Sequence, residues 1–139
     1  MKPSHSTPKS RLVITDTDVV IDLHELDIWD LFIRQNDVYV TRTVVQESKR
    51  YRKPVDSTSK LLEIDLESLS SDGRITILDL NATDLIPLAE EAERLGVNEK
   101  IDLGETETIA AAYSLRDDLT VCLKDGAAIR FATLIGLSD

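Results

Sequence analysis

The sequence predicts an α/β fold, a mostly parallel sheet with helices on both faces. Three observations carry this. Short β-branched runs alternate with segments whose apolar residues recur at helical spacing, as repeated β–α units require. The chain has 139 residues, 42% of them hydrophobic, enough to bury a proper core in one domain. The first apolar run ends in a carboxylate, Asp16, immediately before a helical pattern, and open α/β sheets keep their chemistry just outside the carboxyl ends of the strands.

Residues 1–10 are polar, with two prolines and no periodic apolar positions, and read as a flexible tail; residues 11–139 form the domain. Leu12 to Thr15 is the first strand. Beyond Asp16, residues Val19, Val20, Leu23, Leu26, Ile28, Leu31 and Phe32 fall at helical spacing, with a break near Glu25. Asp37 to Thr43 is a second strand. Val44 to Arg52 is a short helix that Pro54 stops. Ser57 to Ser70 fits a third helical pattern closed by Ser71-Asp72-Gly73, and Arg74 to Leu80 alternates as a strand. An acidic amphipathic helix over 84–95 ends at Gly96. A further helix runs from about Gly104 to Arg116 with the small face Ala110-Ala111-Ala112, and no strand intervenes. Thr120 to Leu123 is the fourth strand and Gly126 to Leu134 the last helix.

The net charge of −10 argues against sequence-blind nucleic-acid binding through a basic surface. The charge is uneven: residues 84–118 hold 10 acidic and 3 basic side chains, whereas Lys49-Arg50-Tyr51-Arg52-Lys53 puts four cations and an aromatic in five residues. That cluster reads either as a phosphate-holding rim on which Tyr51 stacks a base, or as a solvated helix end favoured by the macrodipole. One cysteine makes no internal disulfide, no apolar stretch approaches the roughly 18 residues of a membrane helix, and the N-terminus has no signal-type apolar core. The expected location is cytoplasmic.

Four carboxylate positions stand at or near strand ends or helix starts: Asp16, Glu47, Glu105 or Glu107, and Asp125. Each has a purely structural reading. Asp16 and Asp125 suit helix N-caps, Glu47 an exposed helix position, and Glu105 and Glu107 a first helical turn whose dipole favours acids. Two residues apart on a helix, Glu105 and Glu107 point about 200° apart, so at most one faces a shared site. Taken together, the four suggest a converging acidic site.

In order and spacing, Val-Ile-Thr-Asp-Thr-Asp-Val-Val-Ile-Asp-Leu (13–23), Val-Val-Gln-Glu-Ser (44–48), Gly-Glu-Thr-Glu-Thr-Ile-Ala-Ala-Ala (104–112) and Leu-Lys-Asp-Gly-Ala-Ala-Ile-Arg-Phe-Ala-Thr-Leu-Ile-Gly-Leu (123–137) resemble the PIN-domain family of metal-dependent nucleases, which includes VapC-type toxins. The resemblance implies a Rossmann-like three-layer α/β/α sandwich with four or five strands. It also implies that Asp16, Glu47, one glutamate of 104–107 and Asp125 gather around Mg²⁺ or Mn²⁺ at the C-terminal edge. Glu107 is preferred over Glu105 because the Ile-Ala-Ala-Ala run follows it as similar runs follow the family's third acid. A set of carboxylates without histidine or thiol suits those hard cations better than zinc.

The implied reaction is hydrolysis of phosphodiester bonds in single-stranded or structured RNA. Lys49, Arg50, Arg52 and Lys124 are the candidates for holding phosphate. The implied partners are RNA, an antitoxin protein if the chain is the toxin of a pair, and a second copy of itself. Leu123 and Lys124 depart from the family, which often has a small hydroxyl residue and a polar residue there. Two other readings stay open: a catalytically silent PIN-like interaction scaffold, and a receiver-type phosphoacceptor domain using Lys124.

Overall fold

The computed structural model describes residues 11–51, 63–97, 100–115, 118–134 and 136–137. The expected tail (1–10), Arg52, Lys53, the Pro54 stop and the expected helical start at 57–62 lie outside the described residues. The elements follow in alternating order: β1 (Leu12–Thr15), α1 (Thr17–Glu25), α2 (Trp29–Gln35), β2 (Asp37–Thr41), α3 (Arg42–Arg50), α4 (Leu66–Ser71), β3 (Thr76–Leu78), α5 (Ile86–Leu95), α6 (Leu103–Ala110), β4 (Thr120–Cys122) and α7 (Gly126–Leu134). A 3₁₀ turn over Ala82–Leu85 leads into α5, and α6 continues as a π-helical turn over Ala111–Leu115.

Several boundaries differ from the expected ones because caps set them. β2 stops at Thr41 rather than Thr43, since the Thr41 hydroxyl accepts from the Val44 N–H and starts α3 there. Within the described residues, α4 begins only at Leu66, where the Asp65 carboxylate accepts from the Ser68 N–H. Asn81 and Asp84 form a capping box that starts the 3₁₀ turn.

The four strands are all parallel in the order β3-β2-β1-β4. Side-chain alternation sorts the core into two layers. On β1, Val13 faces a cluster with Val20, Trp29, Ile33, Val44 and Leu66 from α1 to α4, while Ile14 faces Ala111, Ala112 and Val121 on the other side. On β2, Val38 and Val40 join the first cluster and Tyr39 the second. A third cluster links α5, α6 and α7 through Leu88, Ile109, Ala128 and Phe131. Ala110, Ala111 and Ala112 are all fully buried, Ala110 in the cluster with α5 and α7 and the other two, in the π-helical turn, against the sheet. The result is the three-layer α/β/α sandwich.

The strand order locates a switch point. From β1 the chain steps to β2 and β3 on one side, then crosses back to lay β4 on the other side of β1. Ligands of open α/β sheets bind in the crevice outside the carboxyl ends of the strands at such a point, here the ends of β1 and β4.

Helices α1, α4, α5 and α7 end with the same pair of hydrogen bonds. In α1 these are Asp27 N–H to His24 C=O and Ile28 N–H to Leu23 C=O, both 3.0 Å, the Schellman pattern. The other three place a glycine at the left-handed position, but α1 places Asp27 there at φ 60°. A side chain in that conformation costs energy that glycine avoids. Asp27→Gly should therefore stabilise the fold by roughly 0.5 kcal/mol and Asp27→Val destabilise it by about 1–2 kcal/mol in urea denaturation. Equal midpoints for all three proteins would mean that the turn opens in solution.

Candidate functional site

Asp16 is the residue that follows β1, and it is 1% exposed. Its N–H continues the ladder to the Cys122 carbonyl of β4 at 3.3 Å. One carboxylate oxygen, Oδ1, accepts from the Val19 N–H at 3.0 Å and caps α1, while the other, Oδ2, is buried with no hydrogen-bond partner among the described residues. Burial pushes the carboxyl up to about 6 from an ordinary 3.8; the Val19 N–H opposes the rise, Asp18 adds to it, the Lys124 N–H opposes it and Asp102 adds to it. A buried carboxylate with one unsatisfied oxygen is an unstable arrangement unless a proton or a cation joins it.

The other acids arrive from three directions. Asp125, after β4, accepts from the Ala128 N–H at 3.0 Å and starts α7. Glu47, in the middle of α3, accepts from the Thr17 hydroxyl at 2.5 Å, which ties it to the residue beside Asp16. Gly104 lets α6 approach that glutamate: a Cβ there would stand 2.6 Å from Glu47 Oε1 and 3.6 Å from Asp102 Oδ1. Glu105 is buried, and its carboxyl is raised first by burial, then by the charges of Asp102, Asp125 and Asp16, with the Asp102 N–H opposing. It therefore lies on the side of α6 that feels both strand-end acids. Glu107 is half-buried two residues further round the helix, about 200° away.

Asp102, Gly104 and Thr17 are the parts that motif spacing missed. The first had a legible signal, because Asp102 and Glu105 stand three apart as a capping box and form one in full: Glu105 N–H to Asp102 Oδ1 at 2.8 Å and Asp102 N–H to Glu105 Oε1 at 3.1 Å. Among the described residues, no group of three or more acids, histidines or cysteines is arranged to hold a metal ion as it stands. Asp16, Glu105 and Asp125 each commit an oxygen to a backbone N–H, and Glu47 commits one to Thr17.

A PIN-domain family model matches residues 12–138. The chain belongs to the PIN-domain family. No curated protein resembles it closely enough to count as a relative. PIN domains are generally nucleases and usually bind divalent metals. The donor set of this PIN domain fits such an ion in chemistry: every candidate ligand is a carboxylate, and Asp16 Oδ2 is a buried acceptor without a donor among the described residues. Family membership and the β3-β2-β1-β4 order, unlike the 2-1-3-4-5 order of flavodoxin-like receivers, leave the phosphoacceptor reading without support.

The cations are disposed differently from the acids. Lys124 is 3.0 Å from Asp22 on α1. The Tyr51 hydroxyl donates to Glu25 on the same helix. Lys49 and Arg50 are exposed at the end of α3, and the charge of Lys49 reaches Asp65 at the start of α4, whereas Glu47 turns toward α1 and α6. Arg42, at the start of α3, is bound to Asp79 and Glu67 at 2.9 and 2.7 Å. A groove of about 500 Å³ along β4, lined by residues including Arg11, Val121, Ile129 and Leu137, has no carboxylate among its described lining residues. No helix among the described residues is long and apolar enough to cross a membrane.

Because the folded-state value of Asp16 lies above the unfolded one, the native protein holds a proton that the unfolded chain releases. Stability should fall as pH rises from about 4 to about 6 and stay level above that. Asp16→Asn keeps the cap and removes the charge. Without divalent ions it should exceed wild type in stability by on the order of 2 kcal/mol at pH 7 and match it near pH 3.5, as read by urea denaturation. Parallel pH profiles would show that the buried charge is not felt. A second expectation concerns Gly104→Ala. Alanine is the better helix former by about 1 kcal/mol, so stability should change by no more than that, while a crystal structure shows Glu47 displaced from Thr17. An unmoved Glu47 would refute the close approach.

Proposed function

We propose that this PIN domain is a Mg²⁺- or Mn²⁺-dependent endoribonuclease that hydrolyses phosphodiester bonds of single-stranded RNA. The observation that carries the reading is the buried Asp16 carboxylate, with one oxygen lacking a donor, at the switch point of a parallel sheet. Asp16, Glu47, Glu105 and Asp125 are the acids proposed to hold the ion. We favour Glu105 over Glu107 as the third acid, because Glu105 is buried and the charges of Asp125 and Asp16 help to raise its carboxyl. When bound, such an ion activates water and offsets the charge that develops on the phosphate. The protein's part is to keep Asp16 and Asp125 fixed at the ends of adjacent strands, to aim Glu47 with the Thr17 hydroxyl, and to exclude solvent from Asp16. Lys49 and Arg50, and Arg52 outside the described residues, are the proposed contacts to the RNA backbone. Lys124, 3.0 Å from Asp22, is a further proposed phosphate contact. Action as the toxin of a pair with an antitoxin, assembly with a second copy, and a cytoplasmic location belong to the same proposal.

A silent scaffold is the second reading, favoured by the fact that Asp16, Glu105 and Asp125 all have structural work as caps. Mn²⁺-dependent cleavage of a single-stranded RNA separates the two. Glu105→Gln should lower the rate about 100-fold or more and Glu107→Gln by less than about threefold, the loss of one acid being on the order of 3 kcal/mol of transition-state stabilisation. Mn²⁺ should also raise the Tm of wild type but not of Asp16→Asn. A wild type that shows neither cleavage nor a Tm rise is a scaffold, and a reversed pair of glutamate effects returns the role to Glu107.

A further inference from the structure

We propose that Asp102, on a reading that rests on the metal site above, is a positioning residue for the cation. It fixes Glu105 through the reciprocal capping box and sets its own negative charge beside Glu47. Two geometric facts lead there. The box holds Glu105 from both ends, since the Asp102 carboxylate takes the Glu105 N–H and the Glu105 carboxylate takes the Asp102 N–H. Gly104 then brings the two helices so close that Asp102 Oδ1 and Glu47 Oε1 flank one point, within roughly 6 Å of each other.

Capping alone does not call for a carboxylate there. Asparagine, serine and aspartate cap about equally well, and a neutral cap would spare the domain one more acid beside Asp16, Glu47 and Glu105. Like charges gathered this way repel unless a cation joins them. Asp102 is exposed, so the acidic cluster reaches solvent at this residue. Its role is then that of an outer partner, orienting one ligand and deepening the field for the ion, the kind of group whose loss weakens metal binding about 10–100-fold.

The test compares Asp102→Asn and Asp102→Ser, which keep a cap and lose the charge, with Asp102→Ala, which loses both. Mn²⁺ uptake by the full chain is read from the electron paramagnetic resonance signal of free Mn²⁺, and folding from the urea midpoint. Asparagine and serine should leave the midpoint in place and weaken the Mn²⁺ Kd about tenfold or more, while alanine lowers the midpoint as well. Asparagine and serine variants that bind Mn²⁺ like wild type would make Asp102 a cap only and overturn the proposal. A wild type that takes up no Mn²⁺ would instead overturn the metal reading itself, and this inference with it.

Discussion

A carboxylate buried at the end of the central strand is the constraint on which the rest of this domain turns. Asp16 belongs to three structures at once. It extends the β1–β4 ladder through its N–H, it starts α1 through Oδ1, and it leaves Oδ2 buried and without a donor among the described residues. Capping a helix contributes about 1 kcal/mol, whereas holding a desolvated charge costs more than that, as the rise of its carboxyl to about 6 records. The fold tolerates Asp16 at a net expense. Residues kept at such expense concentrate where a ligand or a reaction needs them.

The structural and the chemical readings of the acids turn out to describe the same atoms. Asp16, Asp102 and Asp125 each accept from the first turn of a helix, so the positive ends of α1, α6 and α7 hold carboxylates that would otherwise repel. The caps let several acids occupy one edge of the sheet without a cation. A metal at this edge would be met by the carboxylate oxygens that the caps leave uncommitted.

The distribution of cations has a similar logic. Asp18, Asp22 and Glu25 fall along one side of α1, and that stripe draws Lys124 from the segment after β4 and the Tyr51 hydroxyl from the end of α3. Arg42 is bound to two carboxylates at the other end of α3. In a chain of net charge −10, most cations in the described residues near the acids are engaged with other acids. Among the described residues of the basic cluster, Lys49 and Arg50 are exposed at the end of α3, and the charge of Lys49 reaches Asp65 at the start of α4.

The sequence by itself determined the layered α/β architecture, the order of the elements and the positions of Asp16, Glu47 and Asp125 beside their strands and helices. Those features are local: hydrophobic period, cap residues and strand-ending acids are legible within about ten residues. Tertiary structure decided the rest. The burial of Glu105 and the half-burial of Glu107 depend on how α6 is rotated over the sheet, which no local pattern encodes. The placing of β4 beside β1 rather than β3 depends on a crossover through α5 and α6, and no local pattern encodes it. The meeting of Gly104, Glu47 and Asp102 joins residues more than fifty positions apart. Only a closed core can bring such residues together, because contact between distant segments follows from how whole layers pack and not from the preference of any one segment.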